Sequence, residues 1–263
     1  MADVRLLLVG DVMGKAGLNA VRRLLPRAIA ERSVDFTIVN GENVAGGVGI
    51  TPQLAAELFA AGADVLTTGN HVWRQREIRP YIEKEPRLLR PLNFVEGQPG
   101  NGFGVFETAA GVPVAVMNLV GQVFMDPADS PFSAADRALP KMGKAKLIVV
   151  DFHAEVTSEK RAMGLHLDGR ATAVIGTHTH VQTADEQILP GGTAFITDVG
   201  MSGPHDSVIG MRKDLVLSRF VTGLPESFKP ATGGVKFQAV LVTADAGTGR
   251  ASRIERISVP QPD

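Results

Sequence analysis

Four of the six histidines in this 263-residue chain fall just after short apolar runs, together with two acidic residues and two asparagines. The run at 4–9 leads into Gly10-Asp11, the run at 36–39 into Asn40-Gly41-Glu42-Asn43, and the run at 65–68 into Gly69-Asn70-His71. Two more, at 147–152 and 173–175, lead into His153 and into Gly176-Thr177-His178-Thr179-His180. Imidazole, carboxylate and amide groups suit hard to borderline divalent ions such as iron, manganese or zinc. The chain has no cysteine, so disulfides and thiolate-bound zinc are excluded and a metal must sit on these groups.

Phosphate-ester chemistry needs such a set. Two cations about 3.5–4 Å apart lower the pKa of a water between them and neutralise phosphoryl oxygens during in-line attack. A carboxylate must bridge them, and Glu42 is the candidate. His178 and His180, two residues apart on an extended turn, are expected to point to one side and to serve one metal each. Taken singly, every segment has a plainer reading: Asp11 as a turn or cap residue, Asn40 to Asn43 as an Asn/Gly turn, Asn70 as a helix cap, His153 as a hydrogen-bonded strand end. One shared site accounts for all of them together.

The elements that must position these groups are strands feeding an α/β fold, because the five apolar runs do not alternate with polar residues and so read as strands covered on both faces. The carboxyl ends of parallel strands share one edge, where segments distant in sequence converge. Helices are expected at 18–31, 52–61, 75–84 and 158–166, with Thr51 as N-cap before Pro52 and with Pro26 ending or kinking the first. Residues 103–108 with 114–118, and 235–244 with 251–259, read as antiparallel pairs joined by turns rich in Ala and Gly. The simplest assembly is a four-layer α-β-β-α sandwich of two mixed sheets, a single domain spanning 1–263.

A hydrophobic content of 44% and a charged content of 21% are ordinary for a globular protein. The formal charge is −1, from 27 basic and 28 acidic residues, so no global field recruits nucleic acid or an anionic membrane. The apolar run in the first ten residues is too short for a signal-peptide core or a membrane span, and with the absence of cysteine it leads to the expectation of a cytoplasmic protein.

The segments Gly10-Asp11, Gly41-Glu42-Asn43, Gly69-Asn70-His71, His153 and Gly176-Thr177-His178-Thr179-His180 resemble, in order, the five signature segments of calcineurin-like metallophosphoesterases. The strings Gly10-Asp11-Val12-Met13-Gly14, Asn40-Gly41-Glu42-Asn43-Val44-Ala45-Gly46-Gly47 and Gly203-Pro204-His205-Asp206-Ser207-Val208-Ile209-Gly210 are similar to the YmdB subfamily of cyclic-nucleotide phosphodiesterases, and the resemblance runs from about Asp3 to beyond Gly210. Two positions depart from the general superfamily: Met13 stands where a histidine is usual, and Glu42 where aspartate is usual. The subfamily draws a ligand from the residue after the bridging glutamate, which carries over to Asn43.

The resemblance implies a di-iron site. Asp11, Glu42, Asn43 and His180 would hold one metal, and Glu42, Asn70, His153 and His178 the other. His71 would give a proton to the leaving oxygen, and Asn70 would also steady the phosphoryl group. It further implies small phosphodiester substrates, notably 2′,3′-cyclic AMP opened to a monoester, and a homo-oligomer. Two rival readings are a capsule-polyglutamate type of the superfamily, which shares the Gly-Asp-x-Met start and the His-x-His end, and a nucleotide-binding regulator with incidental hydrolysis. Residues 201–210 read first as a structural turn, with metal ligand, phosphate nest, lid or oligomer contact as the alternatives. Glu155 reads as a partner behind His153 or a helix-entry charge, Trp73 as a packing residue first and a base-stacking one as the alternative, and His166 as a helix C-terminal or surface residue.

Overall fold

The computed structural model describes residues 3–262, so the first two residues of the apolar N-terminal run and the last of the 1–263 span lie outside the described residues. Two mixed sheets carry the fold. In the first, β1 (Asp3–Val9), β3 (Phe36–Asn40) and β4 (Val65–Thr67) run parallel, and β12 (Val235–Asp245) pairs antiparallel with β1. β13 (Ala251–Pro260) pairs with β12, and β11 (Met201–Pro204) joins β12 to the two-residue β2 (Asp11–Val12). In the second, β6 (Pro113–Val120), β7 (Leu147–His153), β8 (Ala173–Thr177) and β10 (Ala194–Ile196) are parallel, edged antiparallel by β5 (Phe103–Glu107) and β9 (Gln187–Ile188).

Alternation along each strand makes the four layers. In β1, Leu6 and Leu8 enter the core between the sheets, whereas Leu7 and Val9 pack under α1 (Gly14–Arg32) and α2 (Pro52–Ala60). In β7, Leu147 and Val149 face the first sheet, whereas Val150 and Phe152 pack under α4 (Pro131–Ala138) and α5 (Thr157–His166). Each such side chain, removed from water, contributes roughly 1.5–3 kcal/mol. That two-sided burial is why the strands read as continuous apolar runs.

The two hairpins and the Thr51 cap form as expected, with Thr51 Oγ1 accepting from the Leu54 amide at 3.2 Å. Other elements depart from expectation. α1 begins at Gly14 and runs through Pro26, because Pro26 lies on the exposed face while Leu24, Leu25 and Ala28 bury the other. α3 is only Ile78–Ile82, since Ile78 and Ile82 are its only buried residues. The turn expected at 201–210 is partly strand: β11 occupies its first four residues. α6 (Lys213–Thr222) was not foreseen, for it buries Val216 alone.

The site is placed by the parallel strands. β1, β3 and β4 end on one edge of the first sheet, β7 and β8 on one edge of the second, and the face-to-face stacking brings the two edges together.

Candidate metal centre

The eight residues singled out in the sequence form one connected cluster at these strand ends. Gly69 makes the approach possible: a Cβ there would fall inside the van der Waals shells of Glu42 Oε2 and the His153 ring.

One group of donors surrounds His153 Nε2. Glu42 Oε1 lies 3.0 Å from it, His178 Nδ1 3.0 Å and Asn70 Oδ1 3.2 Å. The tautomers follow from the surroundings. Thr177 commits its hydroxyl proton to Asp151 Oδ1 at 2.7 Å, so its oxygen accepts from His153 Nδ1 at 2.9 Å, leaving the Nε2 lone pair aimed at the cluster. His178 Nε2 donates to Glu155 at 3.1 Å, which aims its Nδ1 lone pair the same way. With His153 neutral, four electron-rich atoms thus converge with no hydrogen between them.

Such crowding must be relieved by a positive charge, and in the bare protein a proton supplies it. Burial opposes charge on His153, yet the adjoining Glu42, with Asp11 and Asp151 behind, brings its pKa up to about 9. Burial pushes Glu42 up as well, but His153 and His71 pull it down to about 2. His178, pressed by burial and then by His153, falls to about 3 and stays neutral. A cation in the place of that proton fits every donor.

The second group faces Asp11. Burial raises its carboxyl to about 6 against the pull of His180 and His153. Asp11 Oδ2 accepts from the His178 amide at 3.1 Å, whereas Oδ1 is fully buried without a hydrogen-bond partner, 3.7 Å from His180 Nε2. His180 Nδ1 donates to the Ile209 carbonyl at 2.9 Å, so its Nε2 also presents a lone pair. An orphaned carboxylate oxygen opposite an unprotonated imidazole nitrogen is a second place that fits a cation. Asn43 joins the groups: its Nδ2 donates to His180 Nε2 at 3.1 Å and to Glu42 Oε1 at 3.2 Å, and its Oδ1 lies 2.8 Å from His71 Nδ1. Glu42 Oε1 is therefore common to both groups. His71 is half-buried, and burial lowers its pKa.

The pair His178 and His180 does not lie on an extended turn. Both take left-handed backbone, with φ of 96° and 63°, and Thr179 between them is pinned through its amide (3.1 Å) and hydroxyl (2.6 Å) to Asp198 Oδ2. Lys160 Nζ donates to the same oxygen at 2.7 Å, both side chains being buried. The anchored threonine sends the two imidazoles to the two donor groups, at a steric cost typical of functional turns.

Asp151, Thr177, Asp198 and Lys160 went unnoticed in the sequence. Asp151 carried a signal: a charge inside an otherwise apolar strand run, two residues before His153, must be paired. Its Oδ2 accepts from Asn40 Nδ2 at 3.1 Å and from Thr67. Glu155 proves to partner His178, not His153. Trp73 packs against the core, its Nε1 donating to Gln98 at 2.8 Å, and His166 ends α5 on the surface beside Asp136. His205 is bound to the Met201 carbonyl at 3.1 Å. Met13 is buried and forms part of the cavity wall, so an apolar surface replaces the usual imidazole.

Thr177→Val is expected to weaken metal affinity about 10–100-fold by freeing the His153 tautomer, with the fold retained. Competition titration against a metal chelator checks it, and unchanged affinity would contradict the hydroxyl's role.

Comparison with known proteins places the chain. A family profile described as YmdB-like protein matches residues 7–257. The chain is 46% identical over 257 residues to a Bacillus subtilis protein named 2′,3′-cyclic-nucleotide 2′-phosphodiesterase, covering 97% of each. A solved structure of a Mycoplasma pneumoniae protein described as a novel phosphatase superposes with a TM-score of 0.94 at 35% identity, covering 100% of this chain and 95% of that one. A hypothetical protein from Thermus thermophilus superposes with a TM-score of 0.92 at 42% identity, over 98% and 100% of the two chains. Among the described residues no helix is long and apolar enough to cross a membrane.

Proposed function

The chain belongs to the YmdB-like family, and from that premise we propose that it is a metal-dependent phosphodiesterase that opens 2′,3′-cyclic nucleotides, 2′,3′-cyclic AMP first among them. The observation that carries the reading is the pair of proton-poor donor groups sharing Glu42 Oε1. Asp11, Glu42, Asn43 and His180 would hold one ion, and Glu42, Asn70, His153 and His178 the other, with iron as the expected metal and manganese or zinc as substitutes. When bound, the pair supplies positive charge against the phosphoryl oxygens and activates the attacking water.

The chain's own residues do the rest. The water oxygen bonds to phosphorus and releases a proton to solvent, from which His71 is recharged, the bond from phosphorus to O2′ breaks, and O2′ takes a proton to become a hydroxyl. His71 provides that proton. Asn43 Oδ1 accepts from His71 Nδ1 at 2.8 Å, so a second proton, on Nε2, makes the imidazolium that passes it to O2′ and is left as the neutral ring. Asn70 steadies the phosphoryl group. Burial lowers the His71 pKa, which makes its imidazolium the stronger acid toward O2′.

His71→Ala is expected to lower kcat about a hundredfold while metal content stays at the parental level. A substrate panel of cyclic diesters and monoesters run beside metal analysis tests the reading; preserved cyclic-diester hydrolysis in the metal-free protein would overturn it. The same proposal takes the chain as one domain over residues 1–263, a homo-oligomer acting in the cytoplasm on small molecules, without nucleic acid or membrane as partner. Light scattering tests the assembly.

A further inference from the structure

Residues 205–211 leave β11 and fold back over the cluster. Gly210 donates its amide to Ser207 Oγ at 2.9 Å, and Ser207 Oγ donates to the Pro204 carbonyl at 2.6 Å, closing a tight turn. At its tip Ile209 has a φ of 46°, in the left-handed region that a β-branched side chain enters only at a steric cost. A glycine or asparagine would take this conformation more easily and would keep the carbonyl that accepts from His180 Nδ1. The isoleucine side chain therefore does not serve the turn. Nor does it serve the core, for Ile209 is 53% exposed.

Its side chain borders a cavity of about 270 Å³ over the metal-site residues. The cavity's polar lining comes from Glu42, Asn43, His71, His178 and His180, with Glu155 and Thr179 beside them. Its apolar lining comes from Met13, Val48, Ile209 and Met211. A phosphate seated at the polar groups leaves whatever it esterifies in a cavity that also offers this apolar surface. Flat, weakly polar rings gain from covering aliphatic and thioether surface, whereas a bare sugar gains little.

We propose that Ile209, with Val48 and Met211, forms the ledge on which the nucleobase of the substrate rests, making Ile209 a specificity-determining residue. The inference deepens the reading of the site as one for cyclic nucleotides and rests on it. It also accounts for an isoleucine held in a costly conformation: the same residue grips His180 through its carbonyl and meets the base through its side chain.

The test compares adenosine 2′,3′-cyclic phosphate with the base-free methyl riboside 2′,3′-cyclic phosphate. In Ile209→Gly and Ile209→Asn, both compatible with the turn, the ratio of kcat/KM for the nucleotide to that for the base-free diester should fall about tenfold, through the KM of the nucleotide. Ile209→Val should hold the parental ratio. Metal content should match the parent in all three, because the carbonyl to His180 is kept. An unchanged ratio in the glycine and asparagine variants overturns the ledge, as does an equal loss on both substrates accompanied by loss of metal. Calorimetric binding of adenosine 3′-monophosphate against methyl riboside 3-phosphate reads the same preference without turnover. If the parental protein binds the nucleotide in preference and the glycine variant does not, yet neither cyclic diester is cleaved, the ledge stands and the catalytic proposal falls. If both diesters are cleaved with no base preference at all, the ledge falls and the catalytic proposal stands.

Discussion

Glu42→Ala protein is expected to lose both metal ions together and to retain less than about one thousandth of the parental turnover, the scale of several kcal/mol of transition-state charge stabilisation. Glu42 is singled out because Oε1 touches both donor groups, 3.0 Å from His153 Nε2 and 3.2 Å from Asn43 Nδ2, while Oε2 accepts from the His71 amide at 3.1 Å. Asn43 also spans the groups, through Nδ2 to His180 Nε2 and to Glu42 Oε1, but it carries no charge with which to hold two cations together. Asp11→Asn should be milder, lowering one ion more than the other, since the donors around His153 remain. Metal analysis beside initial rates distinguishes the two variants. Retention of both ions by the Glu42 variant would remove the bridge from the account.

The largest effect on stability is expected from Lys160→Met. Lys160 and Asp198 are 1% and 0% exposed and lie 2.7 Å apart, so removing the amine strands a buried carboxylate. Breaking such a pair costs about 3–5 kcal/mol, or roughly 10 °C in Tm for a chain of this size. Replacing both partners, as Lys160→Met with Asp198→Leu, should recover much of that loss because no lone charge remains. It should not restore metal content. Asp198 also holds the amide and hydroxyl of Thr179, and without that anchor the left-handed turn carrying His178 and His180 is released. Urea unfolding and metal content measured on the single and double variants separate the two roles. A single variant within about 1 kcal/mol of the parent would show that the pair is no structural anchor.

The five strand ends were legible because their physics is local. Strands buried on both faces leave unbroken apolar runs, and the polar residue that ends each run is conspicuous. What was not legible depends on partners far away in the chain. Asp198 pins Thr179 and pairs with Lys160 of another element, and no pattern around residue 198 announces either contact. The convergence of His178 and His180 was expected for the wrong reason, since extended geometry would do it by alternation and the molecule does it with two left-handed residues. β11 is too short to show a period, and α6 leaves Leu217, Phe220 and Val221 exposed, so its sequence lacks the one-sided pattern of a core helix. α4 was legible and overlooked: Ser130-Pro131 repeats the cap-and-proline start seen at Thr51-Pro52, and Ser130 Oγ accepts from the Ser133 amide at 3.3 Å.

Two cations held by these two donor groups are expected to be what makes the chain a phosphodiesterase. This is tested most directly by stripping the protein, restoring metal in measured steps, and recording the rate of 2′,3′-cyclic AMP hydrolysis against ions bound per chain. The rate should be negligible in the stripped protein and should level off only when two ions are bound. A full rate without metal, or a plateau at one ion, would contradict it.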